Sequence, residues 1–206
     1  MREIALHLLD IAENSVAAGA SSVTIEVCED LEHDRLTAAV QDDGRGMDPE
    51  LLARVTDPFV TSRTTRKVGL GIPLLKAAAE ACRGGLTIHS SPAEGTRLEV
   101  SFQHNHIDRM PLGNLAATLL TLVVAYPDIH WLLRYSVRHP GGHPPAGAAS
   151  AYTFDDRPVK AALDGLPLCE PEVLGFLREY LEQGIRRVQD ALPAGSPFTN
   201  TSNPLG

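Results

Sequence analysis

Two glycine turns, each set at the end of a regular segment, constrain this chain more than any other feature. Asp42-Asp43-Gly44-Arg45-Gly46 directly follows a strand pattern, and Gly69-Leu70-Gly71-Ile72-Pro73 opens a helix pattern. Glycines at such junctions let backbone come close to a ligand. Free amides at a helix N-terminus form an anion site. The turns sit in a chain whose first half reads as helices and strands in succession, an α/β (α+β) pattern. The segments around the turns fit that reading. Ile4, Leu8, Ile11 or Ala12, and Ser15 or Val16 recur at helical spacing over Arg2 to Ala18, with Gly19 as the stop. Ser22 to Cys28 and Leu36 to Val40 read as a pair of hairpin strands. Pro49 to Val55 reads as a short helix and Leu70 to Cys82 as a longer one, with Pro73 in its first turn. Leu86 to Ser90 and Thr96 to Phe102 are two more strands around a Pro92–Gly95 turn.

Composition narrows the class. Of 206 residues 43% are hydrophobic and 21% charged, as in a globular chain. The longest apolar run, Leu115 to Tyr126, is too short for a membrane span. Acidic residues close behind Arg2 speak against a secretory signal. Cys28, Cys82 and Cys169 form no CxxC pair, so a disulfide framework is not expected and the cytoplasm is. The net charge of −8 argues against a protein built to grip nucleic acid. Neither a nucleic-acid partner nor a membrane is expected.

Within the first half, Asp10 and Asn14 stand at i and i+4 and share one helix face. Asn14 offers a hard oxygen to magnesium. Asp10 could orient or deprotonate a water or hydroxyl. Asp42, at a strand end, can accept a hydrogen bond from an exocyclic amine such as that of adenine. The loop Asp57 to Gly71 carries Arg63, Arg66 and Lys67, cations able to meet phosphates, and its length suggests a lid. Gly95-Thr96 adds a small, hydroxyl-bearing point of approach.

In this order the features resemble the GHKL ATPase superfamily: gyrase B, the heat-shock chaperone ATPases, histidine kinases and MutL. Glu13-Asn14-Ser15-Val16-Ala17-Ala18-Gly19-Ala20 is similar to the MutL pattern ENSLDAGA, differing at Val16 and Ala17. From Asp57-Pro58-Phe59 through Gly69-Leu70-Gly71 to Gly95-Thr96 the likeness is to histidine-kinase catalytic domains. The resemblance covers residues 1–103 and implies a Bergerat-type two-layer sandwich of helices on a mixed sheet. It implies ATP and Mg2+ as cofactors, with Asn14 on magnesium and Asp42 on the adenine amine. Gly44, Gly46 and Met47 would line the base pocket. Arg63, Lys67, Gly69, Leu70 and Gly71 would meet the phosphates, and Thr96 would lie near the adenine. Hydrolysing members carry Glu where this chain has Asp10, whose carboxylate retreats by roughly 1.5 Å. A phosphoacceptor-histidine helix pair ahead of the first motif is not expected. The expectation is an ATP-binding regulatory protein that hydrolyses Mg-ATP or passes phosphate to a partner, as an ATPase or a protein kinase. The alternative is a nucleotide-dependent binding module without turnover. Homodimerisation is implied because many relatives dimerise.

Residues 104–192 read as a smaller α+β extension that would recognise a protein partner. It has helices over Leu112 to Ala125, Val159 to Leu163 and Glu170 to Val188, and strands over Ile129 to Val137 and Ala151 to Phe154. Pro193 to Gly206 reads as a disordered tail. His104 and His106, alternating on one strand face, are a minor metal candidate that His139 and His143 could join. Trp131 and Tyr135 read as core or partner surface.

Overall fold

A computed structural model describes residues 3–55, 71–142, 149–163, 166–190 and 192. Six strands form one mixed sheet: β1 (Ser22–Asp30), β2 (Arg35–Asp42), β3 (Gly85–Ser91), β4 (Gly95–Gln103), β5 (His130–Arg138) and β6 (Ala151–Asp155). Their order across the sheet is β3-β4-β2-β1-β5-β6. Every pairing is antiparallel except β1 with β5, which runs parallel with Val23 opposite Trp131 and Glu29 opposite Val137. Helices α1 (Ile4–Ala17), α3 (Gly71–Ala81), α4 (Leu115–Ala125) and α6 (Pro171–Gln189) pack against the sheet. Short helices α2 (Pro49–Arg54) and α5 (Asp156–Ala162) follow β2 and β6. The expected α+β sandwich is therefore the observed one.

Period-two burial explains the sheet. In β1 the residues Val23, Ile25, Val27 and Glu29 point into the core and their neighbours do not. On the other face, Arg97 joins Glu26 at 2.8 Å and Glu99 at 3.1 Å, and Arg134 joins Glu26 at 2.9 Å. Burial would raise the Glu26 carboxyl, but the two guanidinium groups outweigh it and hold it below its ordinary value. In α1 the stripe Ile4, Leu8, Ile11, Ala12 and Ser15 is buried. The apolar run noted above is α4, whose Leu115, Ala116, Leu119, Leu120, Leu122 and Val123 are all buried. It packs against both α1 and α6, so it is apolar nearly all round. Trp131 and Tyr135 are core residues, each wholly buried.

The two halves of the chain share this sheet and core. Helix α1 has no side-chain N-cap; its Ile4 and Ala5 amides donate instead to the carbonyl oxygens of Pro111 and Leu112, at 3.0 and 2.8 Å. The second half thus supplies acceptors for the first helix of the first half. Helix α4 begins at Leu115 rather than Leu112 because Asn114 caps it, Oδ1 accepting from the Ala117 amide at 2.9 Å. Helix α5 begins three residues earlier than expected for the same reason, with Asp155 capping the Arg157 amide. Among the described residues no helix is long and apolar enough to cross a membrane. The tail over 193–206 and the loop over 56–70 lie outside the described residues.

Candidate functional site

The site is built at the end of β2. Asp42 is 9% exposed. Its Oδ1 accepts from the Gly44 amide at 3.0 Å and the Thr96 amide at 3.2 Å, and its Oδ2 accepts from Ser15 Oγ at 2.6 Å. An ionised carboxylate offers about four lone-pair positions. Three are taken, and the fourth is free to accept from a ligand amine. Beside it Gly44 packs closely: a β-carbon there would stand 3.0 Å from Ala18 Cβ and 3.1 Å from Asp42 Oδ1, so a side chain would crowd the carboxylate. The carboxylate therefore suits a ligand group that donates a hydrogen bond, as an exocyclic amine does.

Two further glycines lock the turn to the β3–β4 hairpin. Gly46 has φ +66°, and a β-carbon on it would lie 1.9 Å from the Ser91 carbonyl oxygen. Gly95 has φ +88°, and its β-carbon would lie 2.0 Å from the Asp42 carbonyl oxygen. Only glycine fits either place. Ser90 ties the same parts together: its Oγ accepts from the Met47 amide at 2.9 Å and shares a hydrogen bond with Thr96 Oγ1 at 2.9 Å. Asp42, Gly44, Gly46, Met47 and Thr96, scattered over more than fifty positions, thus form one unit.

Helix α1 brings the remaining groups. Asn14 precedes Ser15, and Asp10 stands one turn earlier; both are exposed. Gly71 opens α3, and a β-carbon on it would lie 3.8 Å from Asp10 Oδ2. The Asp10 carboxylate therefore stands beside the start of α3. Arg63, Lys67, Gly69 and Leu70, expected at the phosphates, lie outside the described residues.

Asp43, next to the key carboxylate, has a structural task. It accepts from the Ser21 amide at 2.7 Å, Ser21 Oγ at 2.6 Å and the Ser22 amide at 2.9 Å, pinning the turn to the start of β1. Burial raises its carboxyl, but the Ser21 and Ser22 donors outweigh this and hold it below the ordinary value. A carboxyl lowered on folding stabilises above its unfolded value and loses that contribution as pH falls through the folded one. Asp43→Asn should therefore flatten the loss of stability below about pH 4, as read from urea unfolding across an acid pH series.

The histidine expectation is corrected. β4 ends at Gln103, and His104 and Asn105 form a turn, so His104 and His106 do not share a strand face. His104 is buried, with Nε2 2.7 Å from Glu29 Oε2, while His106 Nδ1 accepts from the Asp108 amide. His139 lies past the end of β5, and His143 is outside the described residues. Two participants were not anticipated from the sequence. Ser15 stands in the motif but gave no sign that it would meet Asp42, 27 positions away. Ser90 lies in a strand with nothing to mark it.

Comparison with known proteins concerns the same first half of the chain. A family model described as histidine kinase-, DNA gyrase B-, and HSP90-like ATPase matches residues 1–106. A Rickettsia conorii protein named as an NtrY-like sensor histidine kinase is 32% identical over 108 residues, 52% of this chain and 18% of that one. The non-motile and phage-resistance protein of Caulobacter vibrioides is 33% identical over 117 residues, 52% of this chain and 14% of that one. The sensor protein kinase FleS of Pseudomonas aeruginosa is 39% identical over 89 residues, 43% of this chain and 22% of that one. The chain thus spans less than a quarter of each of these relatives.

Proposed function

With residues 1–106 the chain belongs to the family of histidine kinase-, DNA gyrase B-, and HSP90-like ATPases, and on that premise we propose that it is a Mg-ATP-dependent regulatory protein acting on the γ-phosphate. The family is one of ATP-binding domains, and the relatives place this one beside histidine-kinase catalytic domains. The finer reading rests above all on Asp10, whose carboxylate stands against Gly71 at the opening of α3. The amides of that helix start are where phosphate oxygens would be received. Adenine would be held through Asp42. Asn14, on the same helix as Asp10, would hold the magnesium ion, which supplies charge neutralisation to the phosphates. Asp10 would take the proton as the attacking oxygen, from water or from a partner's acceptor group, bonds to phosphorus and ADP leaves. The extension over residues 104–192 would present the partner surface.

The test is ADP release from the purified protein with Mg-ATP, alone and with candidate partners, beside Asp10→Asn. We expect release or transfer to fall about 100-fold in the variant with ATP affinity unchanged. Equal rates in both proteins would remove Asp10 from the chemistry. ATP binding with no turnover under any condition would favour the nucleotide-dependent binding module.

A further inference from the structure

At the opposite end of β1 from the Glu29 contact, four elements converge on a second cluster. His130 opens β5, Asp155 closes β6, Asp156 opens α5, and Ser22 opens β1. His130 Nε2 lies 3.0 Å from Asp155 Oδ1 and 4.0 Å from Asp156 Oδ1. Its other nitrogen, Nδ1, is held by Ser22 Oγ at 3.1 Å. One ligand atom from each of the three side chains lies within 4.8 Å of the others.

Asp156 makes this more than a surface ion pair. Its side chain is 1% exposed, and its Oδ1 has no hydrogen-bond partner. Lys160 Nζ stands 2.6 Å from Oδ2 and donates to the Ile129 carbonyl oxygen at 2.7 Å. The ammonium offsets charge on the Oδ2 side and leaves Oδ1 directed at the imidazole across a gap too long for a hydrogen bond. Lys160 pairs the charge, but a buried Oδ1 that no donor reaches is still costly, and a metal ion would satisfy it. The spacing suits the metal. Ligand atoms about 2.1 Å from a tetrahedral ion lie roughly 3.4 Å apart, between the two separations seen here. A histidine whose second nitrogen is held by a neighbour is the usual form of such a ligand. The Asp155 side chain, 41% exposed, leaves one side open to a water.

We propose that His130, Asp155 and Asp156 form a site for a zinc-class divalent cation, completed by water, at the junction of β5, β6 and α5. The nitrogen and two carboxylates select Zn2+ or Co2+ over the all-oxygen coordination that Mg2+ and Ca2+ require. The site is separate from the magnesium position at Asn14 and does not rest on it.

The full chain, stripped with a chelator, would be titrated with Zn2+ against a chromogenic competitor and with Co2+ followed by visible absorption. We expect one equivalent of tightly held Zn2+ and a Co2+ spectrum with the intense d–d bands of a four-coordinate site. His130→Gln, which keeps a polar group facing Ser22 and Asp155, should weaken Zn2+ binding by about 10- to 100-fold or more and abolish those bands. Its thermal unfolding without metal should match the parent, which separates a lost ligand from a lost fold. Failure of the parent to take up Zn2+, or uptake undiminished in His130→Gln, would overturn the site and assign any bound ion to other histidines.

Discussion

Asp42→Asn is expected to weaken ATP binding on the order of 1,000-fold while leaving the fold intact, a loss of about 4 kcal/mol of binding free energy. The carboxylate already accepts three hydrogen bonds, from the Gly44 and Thr96 amides and the Ser15 hydroxyl. In the variant the one amide oxygen must stay with the two backbone amides, because those donors cannot turn round. The NH2 group then takes the place of Oδ2. Ser15 can adapt, since a hydroxyl accepts as readily as it donates. An adenine amine cannot, and donor would face donor. A site arranged to accept a hydrogen bond discriminates strongly when that acceptor is removed. Calorimetric titration with ATP, beside a urea unfolding curve, checks both halves of the statement. Unchanged affinity would take Asp42 out of the pocket.

Much of this arrangement was legible in the sequence because it is local. The stripe Ile4, Leu8, Ile11 or Ala12 needs only the helical period, and it lies on the buried face of α1, with Ser15 rather than Val16 completing it. The turn after β2 needs only glycine chemistry, and Gly46 carries the positive φ that such a turn demands. What could not be read is what long-range pairing decides. Nothing in residues 130–138 says that they will lie parallel to β1 rather than start a sheet of their own. Two apolar strands pair wherever the crossover through α4 lets them, and periodicity carries no partner label. The histidine expectation failed for a related reason. Alternation was extended past Gln103, but β2 begins at Arg35, opposite Gln103, so the ladder has no further partner and the chain turns. The first strand carries a further signal. The period that buries Val23, Ile25 and Val27 also buries Glu29, which announces an acidic group in the core and partners waiting for it.

Those partners carry the last expectation: Glu29→Leu should cost about 3–5 kcal/mol of stability. Glu29 is 3% exposed. Its Oε1 accepts from Tyr135 Oη at 2.5 Å, and its Oε2 faces His104 Nε2 at 2.7 Å. Burial, then the charge of Glu29, pushes the Tyr135 phenol far above its ordinary value, so it stays a donor at every pH the fold survives. Leucine fills a similar volume but leaves a phenol and an imidazole nitrogen buried without their partner. Gln, which can still accept from Tyr135, should cost less. The three groups come from β1, from β5 and from the turn after β4, so they join the first half of the chain to the second. If the halves are one cooperative body, urea unfolding of Glu29→Leu should remain a single transition. Its midpoint should fall by about 2 M for a slope near 2 kcal/mol/M. Two separate transitions, with only the later residues melting early, would instead show that residues 104–192 fold on their own and that the shared sheet is a docked arrangement.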